Sequence, residues 1–359
     1  MECSLGFIYR RSSYDWMGPG KQPLCFVKRT KSPFIDFYEF PGGQRLATES
    51  STECLERELY EEIGINPSHC VYVESGKRVS NLKVHISFFK TITHSYQNLK
   101  VKLNIYLVSL PHDYKLRSNE NKNIIFTNPL YDNKYKYLHS TYRILRLFEI
   151  PNELFIADNI NHYDIWKKIK YEVYSCRIRQ GNMSDTDYYE LVKKYIENII
   201  KSSDSNYVKS FLPRIHNHRL LIIDSDNIYK KLPQHYRDFV GGIHYNSHKL
   251  DGLDQKNIWS RDDNLQYLSC SCHSRDDLDK ACELNFDFAL LSPVLISKKE
   301  NNELGWEGFK ALSATAGLPI LALGGIDNTP KSIRLSSLNG GSGVAGISKF
   351  WYNKNKSSQ

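Results

Sequence analysis

Glu58, Glu61 and Glu62 lie three and four residues apart in the run Arg57-Glu58-Leu59-Tyr60-Glu61-Glu62-Ile63-Gly64-Ile65. On a helix this spacing gathers the carboxylates on one face. Like charges held so close repel one another. A hard divalent cation that prefers oxygen ligands removes the repulsion, so Mg2+ or Mn2+ is the expected cofactor. Such an ion bridges to substrate phosphates and offsets the charge that develops during displacement at phosphorus. A merely solvated acidic helix usually interleaves lysines. Here the only basic residue on that stretch is Arg57, placed for a charge-assisted hydrogen bond to a neighbouring glutamate.

The elements that must position these groups can be read around them. A helical period runs from Ser51 to Ile63, and Leu55, Leu59 and Ile63 form an apolar stripe that should dock on a sheet. Gly64 suits the left-handed position that ends a helix. Gly42 and Gly43 allow backbone carbonyls close to a metal.

Residues 43–65 resemble the Nudix box at each defining position: Gly43, five residues, Glu49, seven residues, then Arg57 to Ile65. The resemblance implies an α+β Nudix fold over residues 1–147, a mixed sheet sandwiched by helices. It also implies cleavage of a nucleoside diphosphate or triphosphate at a pyrophosphate bond. Gly43, Glu58, Glu61 and Glu62 would be the metal-binding residues, and Glu49 would support them. Arg57, Glu58 and Glu61 would be catalytic, with Glu58 either a ligand or the base that activates water.

Phe26-Val27-Lys28-Arg29 and Tyr38-Glu39-Phe40-Pro41-Gly42-Gly43 resemble the MutT branch, which hydrolyses oxidised purine nucleoside triphosphates such as 8-oxo-dGTP. This implies a nucleoside triphosphate substrate contacted by Arg29, Glu39, Phe40 and Thr141. Two of these have a plain alternative, Phe40 as core and Glu39 as a solvated residue. Thr141 stands where the branch carries an Asn that reads the purine edge, with Asn128 and Asn133 as neighbouring candidates. A hydroxyl lacks the paired donor and acceptor of an amide. Glu120 is either a further metal-side carboxylate or a surface residue.

The second half has another rhythm. Short apolar strands at 154–157, 173–177, 220–224, 242–245, 268–272, 288–292, 320–323 and 343–347 are separated by helix-period segments such as 188–200, 275–284 and 306–314. Eight strands in this order predict a (β/α)8 TIM-type barrel over residues 153–351. The junction near Leu147 to Asn152 contains no long flexible linker.

Arg177-Ile178-Arg179, Gly242-Ile243-His244, Ser292-Pro293-Val294, Leu323-Gly324-Gly325 and Gly343 to Ser348 make this half similar to thiamine phosphate synthase and TenI-like proteins. The resemblance implies a thiamine-related phosphate ligand held by Arg177, Arg179, Asp224, Gly325, Gly346 and Ser348. The catalytic pattern departs from the family. A Gln-x-Arg-x-Lys motif reads Arg177 to Gly181, an Asn-Asp pair reads Ile223-Asp224, and Lys249 replaces a metal-binding Asp. Glu300, beside Lys298 and Lys299, replaces a Lys, and Pro293 replaces the tautomerase His. A barrel that binds a phosphate or thiamine-related ligand, or acts as a rigid partner, is therefore expected in preference to an active synthase.

Bulk properties agree. The chain has 359 residues, 40% hydrophobic and 25% charged, which fits two globular domains. No apolar run is long enough to span a bilayer, and the N-terminal residues lack a signal-peptide pattern, so a cytoplasmic protein without membrane contact is expected. The net charge of +8 is spread and not blocked, which suits phosphorylated ligands and gives no reason to expect stable nucleic-acid binding. Eight cysteines show no CxxC spacing. Cys270 and Cys272 read as small strand residues, not as a zinc half-site.

Overall fold

Apolar alternation folds the first part of the chain into strands, and the acidic segment into the helix that lies on them. The computed structural model describes residues 1–11, 22–73, 83–96, 99–129, 132, 134–148, 150–159, 162, 175–203, 221–260, 266–295 and 303–351. The chain divides into two units, Met1–Phe148 and Glu149–Gln359.

The first unit contains β1 (Glu2–Arg10), β2 (Leu24–Lys28), β3 (Tyr38–Glu39), β4 (Gly42–Gln44), α1 (Ser51–Ile63), β5 (Cys70–Tyr72), β6 (Val84–Tyr96), β7 (Leu99–Leu110), β8 (Ile124–Thr127) and α2 (His139–Leu147). The sheet order is β3-β2-β1-β7-β6-β5, with β4 on β1 and β8 on β2. β1 and β7 run parallel, as do β5 and β6, while β6 and β7 are antiparallel, so the sheet is mixed as expected.

Burial along β7 alternates at Val101, Lys102 and Leu103 and then stops alternating. From Asn104 to Tyr106 residues on both faces are buried, because β7 is central and α1 covers one side. Even the polar groups there are used: Asn104 donates to Glu2 Oε1 at 2.7 Å, and the Tyr106 hydroxyl lies 2.7 Å from Ser51 Oγ.

α1 begins with a capping box between Ser50 and Glu53. Leu55, Leu59 and Ile63 are fully buried against Ile8, Tyr106 and Val108, as the apolar stripe predicts. Gly64 ends the helix at φ 73°, and its N–H bonds to Tyr60 O. A Cβ there would lie 2.3 Å from the Arg117 carbonyl oxygen.

In the second unit β9 (Glu153–Ala157), β10 (Cys176–Ile178), β11 (Leu221–Ile223), β12 (Val240–Tyr245), β13 (Tyr267–Cys272), β14 (Phe288–Leu291), β15 (Ile320–Ala322) and β16 (Gly343–Gly346) close a parallel barrel. Residues 173, 174 and 220 of the expected strands lie outside the described residues. Described helices are α3 (Asp185–Ser203), α4 (Asp226–Lys231), α5 (Gln234–Arg237), α6 (Ser247–Asp251), α7 (Arg275–Glu283), α8 (Gly305–Ser313) and α9 (Pro330–Leu338).

Leu154, Ile156, Ile222, Phe288, Leu290 and Leu321 pack in one cluster, and the alternate strand residues Phe155, Ala157, Ala289 and Leu291 pack in a second with the helices. Cys270 and Cys272 belong to that second cluster as free, buried strand residues, with their sulfurs 3.7 Å apart. Trp351 packs on Phe155 at 5.0 Å and donates from Nε1 to Ile156 O at 2.8 Å. Among the described residues no helix is long and apolar enough to cross a membrane.

The end of α1 gives the first prediction. Gly64→Ala should lower the stability of the protein by about 1–3 kcal/mol, because it forces a side chain into a left-handed backbone and against a carbonyl. Urea unfolding of the full chain measures this. An unchanged midpoint would contradict the account.

Candidate active site

Helix α1 turns its acidic side toward β4 and the loop before β8. Glu62 is buried, with 2% of its surface exposed. The Gly42 N–H donates to its Oε2 at 2.8 Å, and the Lys122 ammonium sits on its Oε1. Burial pushes the Glu62 carboxyl up to about 7, against the opposing effects of Lys122 and the Gly42 N–H. Burial also raises the Glu58 carboxyl, although Arg57 pulls it the other way.

Arg57 organises the other carboxylates as a fork. Its Nε and Nη2 donate to the two oxygens of Glu49 at 3.1 and 2.7 Å. Its Nη1 reaches Glu58 Oε1 at 2.7 Å and Glu61 Oε2 at 3.3 Å. Mainly through the Arg57 hydrogen bond, the Glu49 carboxyl is held down at about 2. Gly43 lies against Glu58: an added Cβ would fall 2.2 Å from Glu58 Oε1. A glycine is required there for contact between strand and carboxylate.

Lys122 and Glu120 complete the cluster. The Glu120 carboxylate is 2.9 Å from the Lys122 ammonium, and the Glu120 N–H donates to Glu61 O at 3.2 Å. Glu120 therefore stands beside the acidic helix. Sequence reading missed Lys122 because no spacing rule links a loop lysine to a helix about 60 residues earlier.

Six carboxylates (Glu39, Glu49, Glu58, Glu61, Glu62 and Glu120) share this region with three cations, Arg29, Arg57 and Lys122. The excess of negative charge and the all-oxygen donor set fit a divalent cation. Among the described residues no three carboxylates already converge as a cage, since they are turned to Arg57 and Lys122. Glu58, Glu61 and Glu62, with Gly43 alongside, are the groups that would hold the ion.

The expected base-contacting residues separate into two sets. Arg29 pairs with Glu39 and donates from Nε to Pro33 O at 3.1 Å. Burial raises the Glu39 carboxyl while Arg29 opposes the rise. Phe40 is placed in the core, not on an open pocket wall. It is 2% exposed, with its ring centroid 5.2 Å from that of Phe7 and 4.8 Å from that of Phe26. Thr141, at 1% exposure, is also withdrawn, on the inner side of α2. Asn128 is buried and donates to Gln22 O at 3.1 Å, and Asn133 lies outside the described residues.

At the C-terminal ends of the barrel strands Arg177 and Asp224 form a two-bond ion pair, 2.7 and 2.8 Å. The Gln180 N–H adds a third donor to Asp224 at 3.2 Å, and Lys249 Nζ donates to the Asp224 backbone carbonyl at 3.1 Å. A carboxylate so saturated, with an ammonium beside it, does not fit a metal site.

His244 is buried with each ring nitrogen 2.9 Å from a serine hydroxyl, Ser269 and Ser271. Burial, aided by Arg177, Arg179 and Lys249, pushes it well below the usual histidine range, so the ring is neutral. Arg179 and Ser348 are exposed, and Gly325 adopts φ 67°. Lys349 Nζ donates to Gly325 O at 2.6 Å, tying together the loops after β15 and β16. An added Cβ on Gly346 would lie 2.1 Å from the Phe350 ring. Residues 298–300 lie outside the described residues.

Comparison with known proteins agrees with these two halves. The NUDIX domain model matches residues 16–101, and the thiamine monophosphate synthase model matches residues 240–350. An 8-oxo-dGTP diphosphatase of Proteus vulgaris is 30% identical over 79 residues, 22% of this chain and 56% of that protein, so the chain spans about half the length of this relative. Among solved structures, a thiamine phosphate pyrophosphorylase from Pyrococcus furiosus has a TM-score of 0.41 at 14% identity, covering 57% of this chain and 93% of its own. A MutT structure from a study of Aliivibrio salmonicida and Vibrio cholerae has a TM-score of 0.27 at 19% identity, covering 40% and 93%.

The Arg57–Glu49 pair generates a pH prediction. The Glu49 carboxyl is depressed from 4.5 to about 2 on folding. Its contribution to stability is therefore full above about pH 4.5 and is lost as the pH falls toward 2. In urea unfolding, wild type should be more stable than Glu49→Gln at pH 6, with the gap closing between pH 4.5 and 2. A gap independent of pH would contradict this.

Proposed function

We propose that this chain, a Nudix domain followed by a thiamine monophosphate synthase-like barrel, is a divalent-metal-dependent nucleoside triphosphate pyrophosphohydrolase of the 8-oxo-dGTP diphosphatase type. That activity would serve nucleotide-pool sanitation and DNA repair. One observation carries the reading: Glu58, Glu61 and Glu62 share one face of α1 beside Gly43, with Arg57 on Glu58 and Glu61 and Lys122 on Glu62. When bound, the cation supplies charge neutralisation for the polyphosphate and for the developing negative charge.

The protein's own residues supply the rest. Arg57 holds Glu58 and Glu61 through Nη1 while its Nε and Nη2 fork is anchored on Glu49, an arrangement lysine could not reproduce. Glu58 is the ligand or the base: as base it takes a proton from the attacking water as a new P–O bond forms and a bridging P–O bond breaks. The products are a nucleoside monophosphate and pyrophosphate. Arg29 and Glu39, paired near the acidic helix, supply donors and an acceptor suited to a base edge. The similarity to an 8-oxo-dGTP diphosphatase supports an oxidised purine triphosphate.

The barrel is read as a binding module for a thiamine-related phosphate. By the resemblance, Asp224 and Lys249 fall on positions where the synthase binds metal, and an Asp224 carboxylate taken up by Arg177 supports binding over synthesis. The barrel's presence favours one second reading, in which the Nudix half hydrolyses a thiamine-related pyrophosphate.

Steady-state assays on the full chain with Mg2+ separate the two, using 8-oxo-dGTP, dGTP, ADP-ribose and thiamine diphosphate. We expect 8-oxo-dGTP to exceed dGTP in kcat/KM by at least about tenfold, roughly 1.4 kcal/mol. Glu58→Gln should lower kcat by about 100-fold or more. A smaller preference for 8-oxo-dGTP overturns the sanitising reading, and preferred hydrolysis of thiamine diphosphate replaces it with the second. Formation of thiamine phosphate from a pyrimidine diphosphate and a thiazole phosphate, with release of pyrophosphate, would overturn the reading of the barrel.

A further inference from the structure

Lys122 meets the most buried carboxylate of the acidic cluster. The two Glu62 oxygens have different partners. Oε2 accepts from the Gly42 N–H at 2.8 Å, a bond fixed by the β4 backbone. Oε1 carries the Lys122 ammonium. An ionised carboxylate this deeply buried needs a cation beside it. Lys122 is that cation, and because Oε2 is held by the Gly42 N–H, Oε1 is the oxygen left for a divalent ion.

The ammonium has a second anchor. Glu120 Oε2 lies 2.9 Å from it and is half-exposed, whereas Glu62 is closed off from water. The backbone beneath Lys122 is held independently of the side chain. The Lys122 N–H donates to Ser118 Oγ at 2.9 Å, and the N–H groups of Asn119 and Glu120 donate to Glu61 O at 3.0 and 3.2 Å. The four-carbon stem can therefore carry the charge from Glu62 to Glu120 without moving the loop.

We infer that Lys122 is a built-in counter-cation for Glu62, which the divalent metal must displace, so that lysine and metal compete for one carboxylate oxygen. The inference rests on the reading of α1 as a metal-binding helix. Lys122 acts here as a positioning residue: it balances the charge of Glu62 and holds the carboxylate in place, at the expense of metal affinity. Two positive groups cannot share Oε1 without strong repulsion.

Mn2+ titration of the full-length protein, with free Mn2+ followed by electron paramagnetic resonance, tests this without reference to turnover. Lys122→Gln keeps a hydrogen-bond donor for Glu62 but removes the competing charge. It should bind Mn2+ about five- to tenfold more tightly than wild type, while being less stable without metal. Lys122→Arg, which keeps the charge, should show no such gain. An unchanged or weaker Kd for Lys122→Gln overturns the inference while leaving the metal site intact. Absence of saturable Mn2+ binding by wild type overturns the Nudix reading itself. Should Lys122→Gln fail to fold, acetylation of Lys122 in the wild type, read by mass spectrometry, decides the matter. It should quicken when Mn2+ is saturating, and an unaltered rate counts against displacement.

Discussion

Crowded negative charge on one side of a single helix is the constraint around which the first unit is arranged. Glu58, Glu61 and Glu62 cannot all stay ionised at close range without cations, and Glu62 cannot reach water. The fold answers with Arg57, whose fork also recruits Glu49, and with Lys122 from the loop before β8. Everything else about α1 serves to hold it still. The capping box fixes its start, Gly64 fixes its end, and Leu55, Leu59 and Ile63 clamp it to a sheet whose central strand is covered on both faces.

The barrel shows the same physics with the opposite outcome. Arg177 satisfies Asp224 with two bonds, and Lys249 stands at its backbone carbonyl. Positive charge supplied by the chain itself saturates this carboxylate. Around α1 the six carboxylates outnumber the three cations, which leaves negative charge for an external cation to offset. At Asp224 the local charge is already balanced. This difference in charge separates the two sites and supports the proposal of a hydrolase joined to a binding module.

Much of this was legible in the residues. The 51–63 helix, its apolar stripe and its glycine stop follow from a 3.6-residue period and local backbone rules, and the structure places them at those positions. The barrel strands were visible as eight short apolar runs, and apart from the second, whose expected start lies outside the described residues, their ends moved by no more than two residues. Shorter or tertiary features were not legible. β3, β4 and β5 have two or three residues each, too few to show a period. Helix α2 carries Arg143 and Arg146 on buried positions, so its polar residues hide the inward face that also takes Thr141. Phe40 could have lined a pocket or the core, and only its neighbours Phe7 and Phe26 decide between them. Lys122 had no local signal, because its role exists only once the loop before β8 meets the end of α1.

Anomalous diffraction from crystals of the full chain grown with Mn2+ tests the central claim most directly. A manganese peak should stand between the carboxylates of Glu58, Glu61 and Glu62, bonded to Glu62 Oε1, with the Lys122 side chain turned toward Glu120. A peak elsewhere in the chain, or Lys122 still seated on Glu62 with manganese saturating, would contradict the account.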